Sequence, residues 1–447
     1  MRLRAVVLAA GKGTRMKSAL PKVLHAICGR PMLWHVLRAL HDVEVSEVVL
    51  VVNAELEPHV LQIAREAGHN HVRVVLQEPQ LGTGHAVQVA LRALESQDGR
   101  VLILNGDMPL IAADLVQQLL AAGPLGIVTA RMPLPSNFGR VIRRGDRVVR
   151  IVEQRDATPS ELTVDEMNAG LYVFDEPKLR AAVAELKNDN AQGEYYLTDA
   201  VAHFTHAGEH VVPVIAPDYR SVLGINDRVE LAAARVRVNA LLCEHHMRAG
   251  VTIVDPATTY LEPGLEIAAD VTILPNTTIG RASTIGAHSE IGPNARLQSA
   301  HIGEHVVLTD SVVVDSRIGD YAIVGPWTHV RGGSVIGTGV RLGNFVEVKH
   351  SELAPGAKAR HLSYLGDAGI GARTNIGAGT ITCNFDGKQK NRTEIGEDVA
   401  IGSNTSLVAP VKIGDGALTG AGAVVTHDVA AGERVVGNPA KPLPKGT

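Results

Sequence analysis

Between about Thr278 and Val425 an aliphatic residue recurs at every sixth position, often followed by glycine. Ile279-Gly280, Ile285-Gly286 and Ile291-Gly292 set the step and Leu297 follows in phase. Ile318-Gly319, Val324-Gly325, Val330, Ile336-Gly337, Leu342-Gly343 and Val348 form shorter runs. Ile395-Gly396, Ile401-Gly402, Leu407, Ile413-Gly414, Thr419-Gly420 and Val425 resume the step. A period of six suits neither an α-helix nor an ordinary two-faced strand. It suits a solenoid in which each hexapeptide supplies one short strand and one corner. The aliphatic side chain then points into the shaft, and the small residue after it is expected to let the chain turn. Three hexapeptides close one triangular coil. The repeat therefore predicts a left-handed parallel β-helix, an exception to the usual right-handed crossover.

The part of the chain before the repeat has another rhythm. Apolar runs at Arg4–Ala10, Val48–Asn53, Arg73–Gln77 and Val101–Asn105 read as strands. They alternate with helical segments at Met32–His41, Pro58–Ala67 and 84–95. Such alternation predicts a doubly wound, Rossmann-like α/β domain, with its ligand at the carboxyl ends of the strands. From Ile127 to Gly170 the pattern is more strand-like, as in an extended sheet. A further helix, capped by Asn226 or Asp227 and stopped at Gly250, carries Leu231, Val238, Leu241 and Leu242 at helical spacing. It is expected to pack one face on a neighbour. The expected division is 1–226, a linking helix at 227–250, and a β-helix with its tail at 251–447. Breaks in the hexad phase are expected at Lys349–Ala368 and Cys383–Glu394, and a loose tail at Pro439–Thr447.

Composition narrows the function classes. A net charge of −4 over 447 residues gives no reason to expect a nucleic-acid or anionic-membrane partner. Aromatic residues make up 3%, which argues against a platform for stacking bases. Cys28, Cys243 and Cys383 are odd in number and far apart, so neither a disulfide framework nor a zinc spacing is visible, and a reducing cytoplasmic setting is expected. The apolar run Ala5–Ala10 is too short for a secretory signal, and no stretch has the length of a membrane span.

Two stretches carry chemistry. The loop Gly11-Lys12-Gly13-Thr14-Arg15, with Lys22 beyond it, combines backbone N–H groups that approach closely with cationic side chains. It suits phosphate, although it is neither a Walker loop nor a dinucleotide fingerprint. Asp107 follows a strand end, where a carboxylate can hold a metal or cap the chain. In the repeat, His361-Leu-Ser-Tyr-Leu-Gly-Asp367 and Asn375 to Gly387 hold polar groups that a solenoid shaft does not need. A histidine has the ordinary pKa of a proton acceptor near neutrality. Arg331 and Lys349, on preceding coils, are placed to bracket a phosphate. With 19 histidines in the chain, a merely solvated His361 stays open on this ground alone.

The string Leu8-Ala-Ala-Gly-Lys-Gly-Thr-Arg-Met16 followed by Pro21-Lys22-Val23-Leu24 resembles the signature of sugar-1-phosphate nucleotidylyltransferases. Gln77 with Leu81–Ala86, Asn105–Leu110, Phe138–Arg140, Val152-Glu153, Met167–Gly170 and Gly224–Asn226 extend the resemblance. It implies Mg²⁺ on Asp107 and Asn226, with Arg15 and Lys22 stabilising charge on the phosphates. It also implies UTP or UDP-sugar contacts at Leu8, Ala9, Ala10, Gly11, Lys22, Gln77, Gly82, Thr83, Asn105, Gly139, Glu153, Asn168 and Asn226. Gly343–Lys349, His361–Asp367 and Asn375–Asn384 resemble the acetyltransferase half of the GlmU family, whose members join both domain types in this order. That resemblance spans essentially the whole chain. It implies acetyl transfer from acetyl-CoA to glucosamine-1-phosphate, then uridylyl transfer from UTP to give UDP-N-acetylglucosamine, a precursor of peptidoglycan and lipopolysaccharide. His361 would be the base, with Arg331, Lys349, Tyr364 and Asn375 on the amino sugar phosphate. Ala378, Asn384, Phe385, Ser403, Ala421 and Lys441 would contact acetyl-CoA. A cytoplasmic homotrimer is implied, with the acetyl-transfer site at a subunit boundary.

Some residues depart from the pattern. Asn105 stands where relatives often carry Tyr, Ala169 where many carry Thr, and Phe385 where Tyr is common. Arg434–Lys441 resembles the ending of other hexapeptide acetyltransferases. Two rivals are an enzyme for another base or sugar and a non-catalytic assembly subunit. The first does not require the set of His361, Lys349 and Arg331; the second does not require the basic loop or Asp107.

Overall fold

A computed structural model describes residues 2–96 and 98–442 of the chain. Internal contacts divide it into two units, Met1–Val236 and Arg237–Thr447. The first is built on a sheet whose strands run, in spatial order, Val212–Ile215, Leu125–Arg131, Glu166–Asp175, Gly99–Asn105, Arg2–Leu8, Glu47–Val52 and Val72–Leu76. Glu166–Asp175 runs antiparallel to both neighbours, and the remaining pairings along this path are parallel. The hairpin Arg140–Arg144 and Arg147–Val152 joins the same sheet through Glu166–Asp175. Helices Met32–Arg38, Glu57–Glu66 and Thr83–Arg92 lie between the strands in sequence. The alternating apolar residues of the central strands enter two separate cores: Ala5, Val7, Leu102 and Leu104 in one, Val6, Val49, Val101 and Ile103 in the other. Burial on both faces is why these strands read as continuous apolar runs.

The second unit is a parallel β-helix. Its strands stack coil on coil, as in Arg331 opposite Lys349 and Lys349 opposite Gly366. Ile273, Ile279, Ile291, Val330, Leu342, Ile376, Ile401 and Val425 fill one continuous shaft. Burying each such side chain is worth about 1.5–3 kcal/mol.

The structure corrects four expectations. Gly292 and Gly325, at φ 105° and 106°, turn the chain as expected, but the other glycines after the aliphatic residues do not. A Cβ on Gly286 would lie 2.6 Å from Gly303, on Gly371 2.3 Å from Gly396, and on Gly377 2.5 Å from Gly402. Glycine is required there because the coils stack too closely for a side chain. The left-handed corners are taken by other residues, among them Asn294, Tyr321, Trp327, Phe345 and Leu362. Second, Lys349–Ala368 is no interruption. Glu347–Lys349 pairs with Tyr364–Gly366 and Glu352–Leu353 with Ala368–Ile370 in register, and the phase moves only because that coil is one residue shorter. The Cys383–Glu394 segment is different. Asn375 pairs with Ala400, 25 residues on, whereas Arg331 pairs with Lys349, 18 residues on, so seven residues are inserted.

Third, the helix Arg228–Arg248 buries Leu231 and Val238, but Leu241 is 47% exposed and lies off the packed face. In the second unit the Asn239 amide donates to the Thr259 carbonyl at 2.7 Å and accepts from the Leu261 N–H at 3.0 Å. Fourth, the start of the expected loose tail is ordered. Lys441-Pro442 pairs antiparallel with Val435-Val436, and the Ala440 N–H donates to the Val424 carbonyl. Residues 443–447 of that expectation lie outside the described residues.

Candidate active sites

In the first unit the register places Leu8 opposite Asn105, so two parallel strands end side by side. The glycine loop leaves one end and Asp107 leaves the other. Ala9, Gly106 and Leu8 press together: the Gly106 N–H donates to the Leu8 carbonyl at 2.8 Å, and a Cβ on Gly106 would lie 3.0 Å from that of Ala9. A cleft of about 590 Å³ opens there. Of the residues anticipated from sequence, Leu8, Ala9, Ala10, Gly11, Lys22, Gln77, Gly82, Thr83, Asn105 and Asp107 line it.

Gly13 is in the left-handed region, φ 59°, and a Cβ would lie 2.6 Å from Lys22 Cβ. This brings Lys22 against the loop. Its ammonium lies 2.5 Å from Asp107 Oδ2 and 3.5 Å from Asn226 Oδ1. Arg15 donates to the same Asn226 oxygen at 2.8 Å. The Gly224–Asn226 segment returns to Asp107, with the Ile225 N–H donating to the Asp107 carbonyl at 3.0 Å. A Cβ on Gly224 would lie 3.1 Å from Asp107 Oδ1. Four residues taken from three distant stretches thus meet at one ionic knot.

The remaining anticipated residues of this unit form the far end. The Asn168 N–H donates to the Gly139 carbonyl at 2.9 Å, and a Cβ on Gly139 would lie 3.3 Å from Glu153 Oε2. Thr198 donates to Glu153 Oε1 at 3.1 Å. Burial raises the Glu153 pKa above the usual carboxylate range, with Thr198 opposing and Asp199, Asp156 and Glu194 reinforcing. A Cβ on Gly170 would lie 2.4 Å from the Asn105 amide nitrogen, which links this end to the strand end.

Sequence reasoning missed Gln80, Glu194 and Thr198. Gln80 lines the cleft and donates to the Ala10 carbonyl at 2.6 Å. Glu194 lines it as well, on a segment whose Tyr195 carbonyl accepts from the Gly84 N–H at 2.7 Å. Gln80 had no signal beyond its nearness to Gln77. The glycine between Leu81 and Thr83 was the available sign of Glu194: a Cβ there would lie 2.7 Å from the Tyr195 carbonyl.

In the second unit the anticipated residues fall on one corner and one outer face. The Leu362 N–H donates to the Asn344 carbonyl, Gly379 to His361, Asn404 to Ala378 and Gly422 to Ser403. This ladder files His361, Ala378, Ser403 and then Ala421 along a single corner of the prism. Asn375 is exposed on the face leading to that corner. Val436 packs over Gly420 and pairs with the exposed Lys441, one strand beyond Ala421.

The next face carries Arg331, Lys349 and Tyr364 outward. Glu347 accepts from Arg331 Nε at 3.0 Å. The Lys390 ammonium, on the inserted segment, lowers the pKa of Lys349, with desolvation and Arg331 acting the same way and Asp367 opposing. Crowded cations of this kind suit an anionic ligand. Lys390 was missed, although three basic residues in the insertion, Lys388, Lys390 and Arg392, were a usable sign. Asn384 is buried and donates to Asp367 Oδ2 at 2.5 Å; Phe385 is exposed and forms a bridge with Lys390. Among the described residues, no side chain hydrogen-bonds the exposed His361 ring.

Residues 5–192 match the MobA-like NTP transferase domain family, 261–361 the GMPPB C-terminal domain, and 392–427 the bacterial transferase hexapeptide family in six repeats. The chain is 44% identical over 431 residues to a protein named Bifunctional protein GlmU of Exiguobacterium sp. strain AT1b, covering 95% of this chain and 94% of the relative. It is 43% identical over 434 residues to the protein of the same name from Brevibacillus brevis, covering 96% and 93%. A third, from Corynebacterium efficiens, is 44% identical over 440 residues, covering 96% and 90%. With both transferase elements on one chain and the relatives matched across both, the chain belongs to the bifunctional GlmU family.

Proposed function

We propose that the chain makes UDP-N-acetylglucosamine in two steps, acetylating glucosamine-1-phosphate in residues 251–447 and uridylylating the product in residues 1–226, with 227–250 as the linking helix. The observation that carries this reading is the presence of two unlike sites. One is a phosphate-suited ionic knot in the α/β unit. The other is a corner file headed by a histidine whose ring takes no side-chain hydrogen bond among the described residues, beside a cation-crowded face.

In the uridylyl site, Asp107 and Asn226 present two hard oxygens toward one cationic position, now met by Lys22. That set fits Mg²⁺, which takes few protein oxygens and keeps phosphates and water as its other ligands. Bound there, the ion would supply positive charge at the phosphates. Lys22 and Arg15 place their charge at the α-phosphate and the leaving pyrophosphate. Gly11 and the loop N–H groups, with Leu8, Ala9 and Ala10, hold the nucleotide; Gln77, Gly82 and Thr83 recognise uracil. Asn105, Gly139, Glu153 and Asn168 hold the sugar. A phosphate oxygen of N-acetylglucosamine-1-phosphate attacks the α-phosphorus of UTP, and the bond to pyrophosphate breaks. Positioning and charge carry the rate, since no covalent enzyme intermediate is required.

In the acetyl site His361 accepts a proton from the substrate ammonium. The freed amine attacks the thioester carbon of acetyl-CoA, the C–S bond breaks, and the thiolate leaves with a proton. Arg331 and Lys349 hold the phosphate, and Tyr364 and Asn375 orient the sugar. Ala378, Asn384, Phe385, Ser403, Ala421 and Lys441 contact acetyl-CoA, and a backbone N–H near Ala378 or a side-chain amide stabilises the oxyanion. The exposed ladder of Trp327, Phe345 and Leu362 runs beside His361, with the two rings stacked 5.0 Å apart. An apolar strip next to the base supports a homotrimer in which a neighbouring subunit covers it. Use of UTP and acetyl-CoA supports a cytoplasmic enzyme supplying cell-wall precursors; no helix among the described residues is long and apolar enough to cross a membrane.

The test is a crossed pair of variants. His361→Ala should abolish acetyl transfer and spare uridylyl transfer, and Asp107→Ala should do the reverse. Loss of both activities in either folded variant contradicts the two-site reading.

A further inference from the structure

We propose that Asp367 is a positioning residue for acetyl transfer, orienting the Asn384 amide oxygen and the Tyr364 hydroxyl proton toward the bound amino sugar. The inference rests on the reading above, in which Tyr364 touches the amino sugar and Asn384 acetyl-CoA, and it adds a contact from the Asn384 oxygen to the amine.

Asp367 occupies a corner of the β-helix with φ 51°. Its Oδ2 accepts from Asn384 Nδ2 at 2.5 Å, and its Oδ1 lies 3.7 Å from His350 Nδ1. A carboxylate accepts hydrogen bonds and donates none. The amide nitrogen of Asn384 must therefore face Asp367, and its oxygen must face away. Asn384 is 7% exposed, so water does not readily replace this partner. The same nitrogen lies 3.4 Å from the Tyr364 hydroxyl. A phenol that accepts there keeps its own proton to donate. One carboxylate thus sets the polarity of two groups: an oxygen to accept from the amine N–H, and a hydroxyl to donate to a sugar or phosphate oxygen.

The main chain of Asp367 does related work. Its carbonyl accepts the Thr393 N–H at 3.2 Å, just past the seven-residue insertion. Its side chain holds Asn384, where the insertion begins, and the Asn391 N–H closes onto the Asn384 carbonyl at 2.7 Å. Both ends of the segment carrying Lys390 are therefore fastened at one residue.

The experiment uses the full-length enzyme. Asp367→Asn keeps the side-chain size and one hydrogen bond to Asn384, but lets the amide pair adopt either direction. The kcat/KM for glucosamine-1-phosphate in acetyl transfer should fall roughly 10- to 100-fold, as for loss of an oriented charge-assisted hydrogen bond. Uridylyl transfer to supplied N-acetylglucosamine-1-phosphate and the melting temperature should hold. The double exchange of Asp367→Asn with Asn384→Asp again places an oxygen toward the sugar. It should recover acetyl transfer in part, because a carboxylate at position 384 offers the amine an acceptor but gives the Tyr364 hydroxyl no N–H to accept from, and it serves as the readout if the single variant does not fold. A residue that only pins the loop predicts full activity for Asp367→Asn. That result, or a double exchange that recovers nothing, overturns the inference alone. A wild-type enzyme that fails to acetylate glucosamine-1-phosphate overturns the parent reading.

Discussion

The Lys22 ammonium lies 2.5 Å from Asp107 Oδ2, and the two residues are 85 positions apart in sequence. The lysine holds the place where a divalent ion would meet the same carboxylate. If that exchange is part of the reaction, chelation should abolish uridylyl transfer and leave acetyl transfer unchanged. Lys22→Met should lower uridylyl transfer by about 10²- to 10³-fold, in line with removal of one charge-stabilising donor from a reacting centre. Coupled assays of the two half-reactions, with and without EDTA, read both effects.

Glu153 gives a pH signature. Burial raises its pKa, so its loss of charge on acidification begins at a higher pH than for an ordinary carboxylate. If the carboxylate accepts from a sugar hydroxyl, the KM for N-acetylglucosamine-1-phosphate should rise as pH falls through that raised value. Glu153→Gln should flatten the profile and raise this KM about 10-fold at neutral pH. Stability moves the other way. The folded state holds the proton more tightly than the unfolded one, so stability falls as pH rises from the unfolded to the folded pKa. At neutral pH Glu153→Gln should therefore melt higher than wild type.

Gly366 tests the sugar face. A Cβ there would come within 2.4 Å of the Tyr364 hydroxyl. The clashing atoms, the hydroxyl and two ring carbons, belong to the end of a side chain that can swing aside, so Gly366→Ala should change the melting temperature little. It should displace the tyrosine and lower kcat/KM for glucosamine-1-phosphate about 10-fold. Uridylyl transfer is the internal control.

Ile376 tests the shaft. It is 3% exposed and stacks in register between Ala359 and Ile401. Ile376→Ala should destabilise this unit by about 2–5 kcal/mol through lost burial and a residual cavity. Differential scanning calorimetry should show the loss.

Periodicity made the architecture legible. Ile279, Ile285 and Ile291 state the coil, and the apolar runs at Val48 and Val101 state buried parallel strands, because both patterns are local consequences of what is packed. The function of the repeat glycines was not legible. Gly286 is required by Gly303 on the next coil, a contact that no window around Gly286 contains. The same limit explains the phase shift near Lys349, where a coil one residue shorter looks like a break. Candidate residues in strings, such as Gly11 or Ala378, could be named from their motifs. Their grouping, such as Asn226 beside Arg15 or Lys390 beside Lys349, follows from chain returns that sequence does not state. Gln80 and Thr198 carry no local mark at all and become visible only through their partners, Ala10 and Glu153.

The most direct measurement supplies purified protein with glucosamine-1-phosphate, acetyl-CoA, UTP and Mg²⁺, and follows products by mass spectrometry. The account predicts UDP-N-acetylglucosamine, free CoA and pyrophosphate in equal amounts, with N-acetylglucosamine-1-phosphate accumulating when UTP is withheld. Absence of UDP-N-acetylglucosamine from the complete mixture would contradict it.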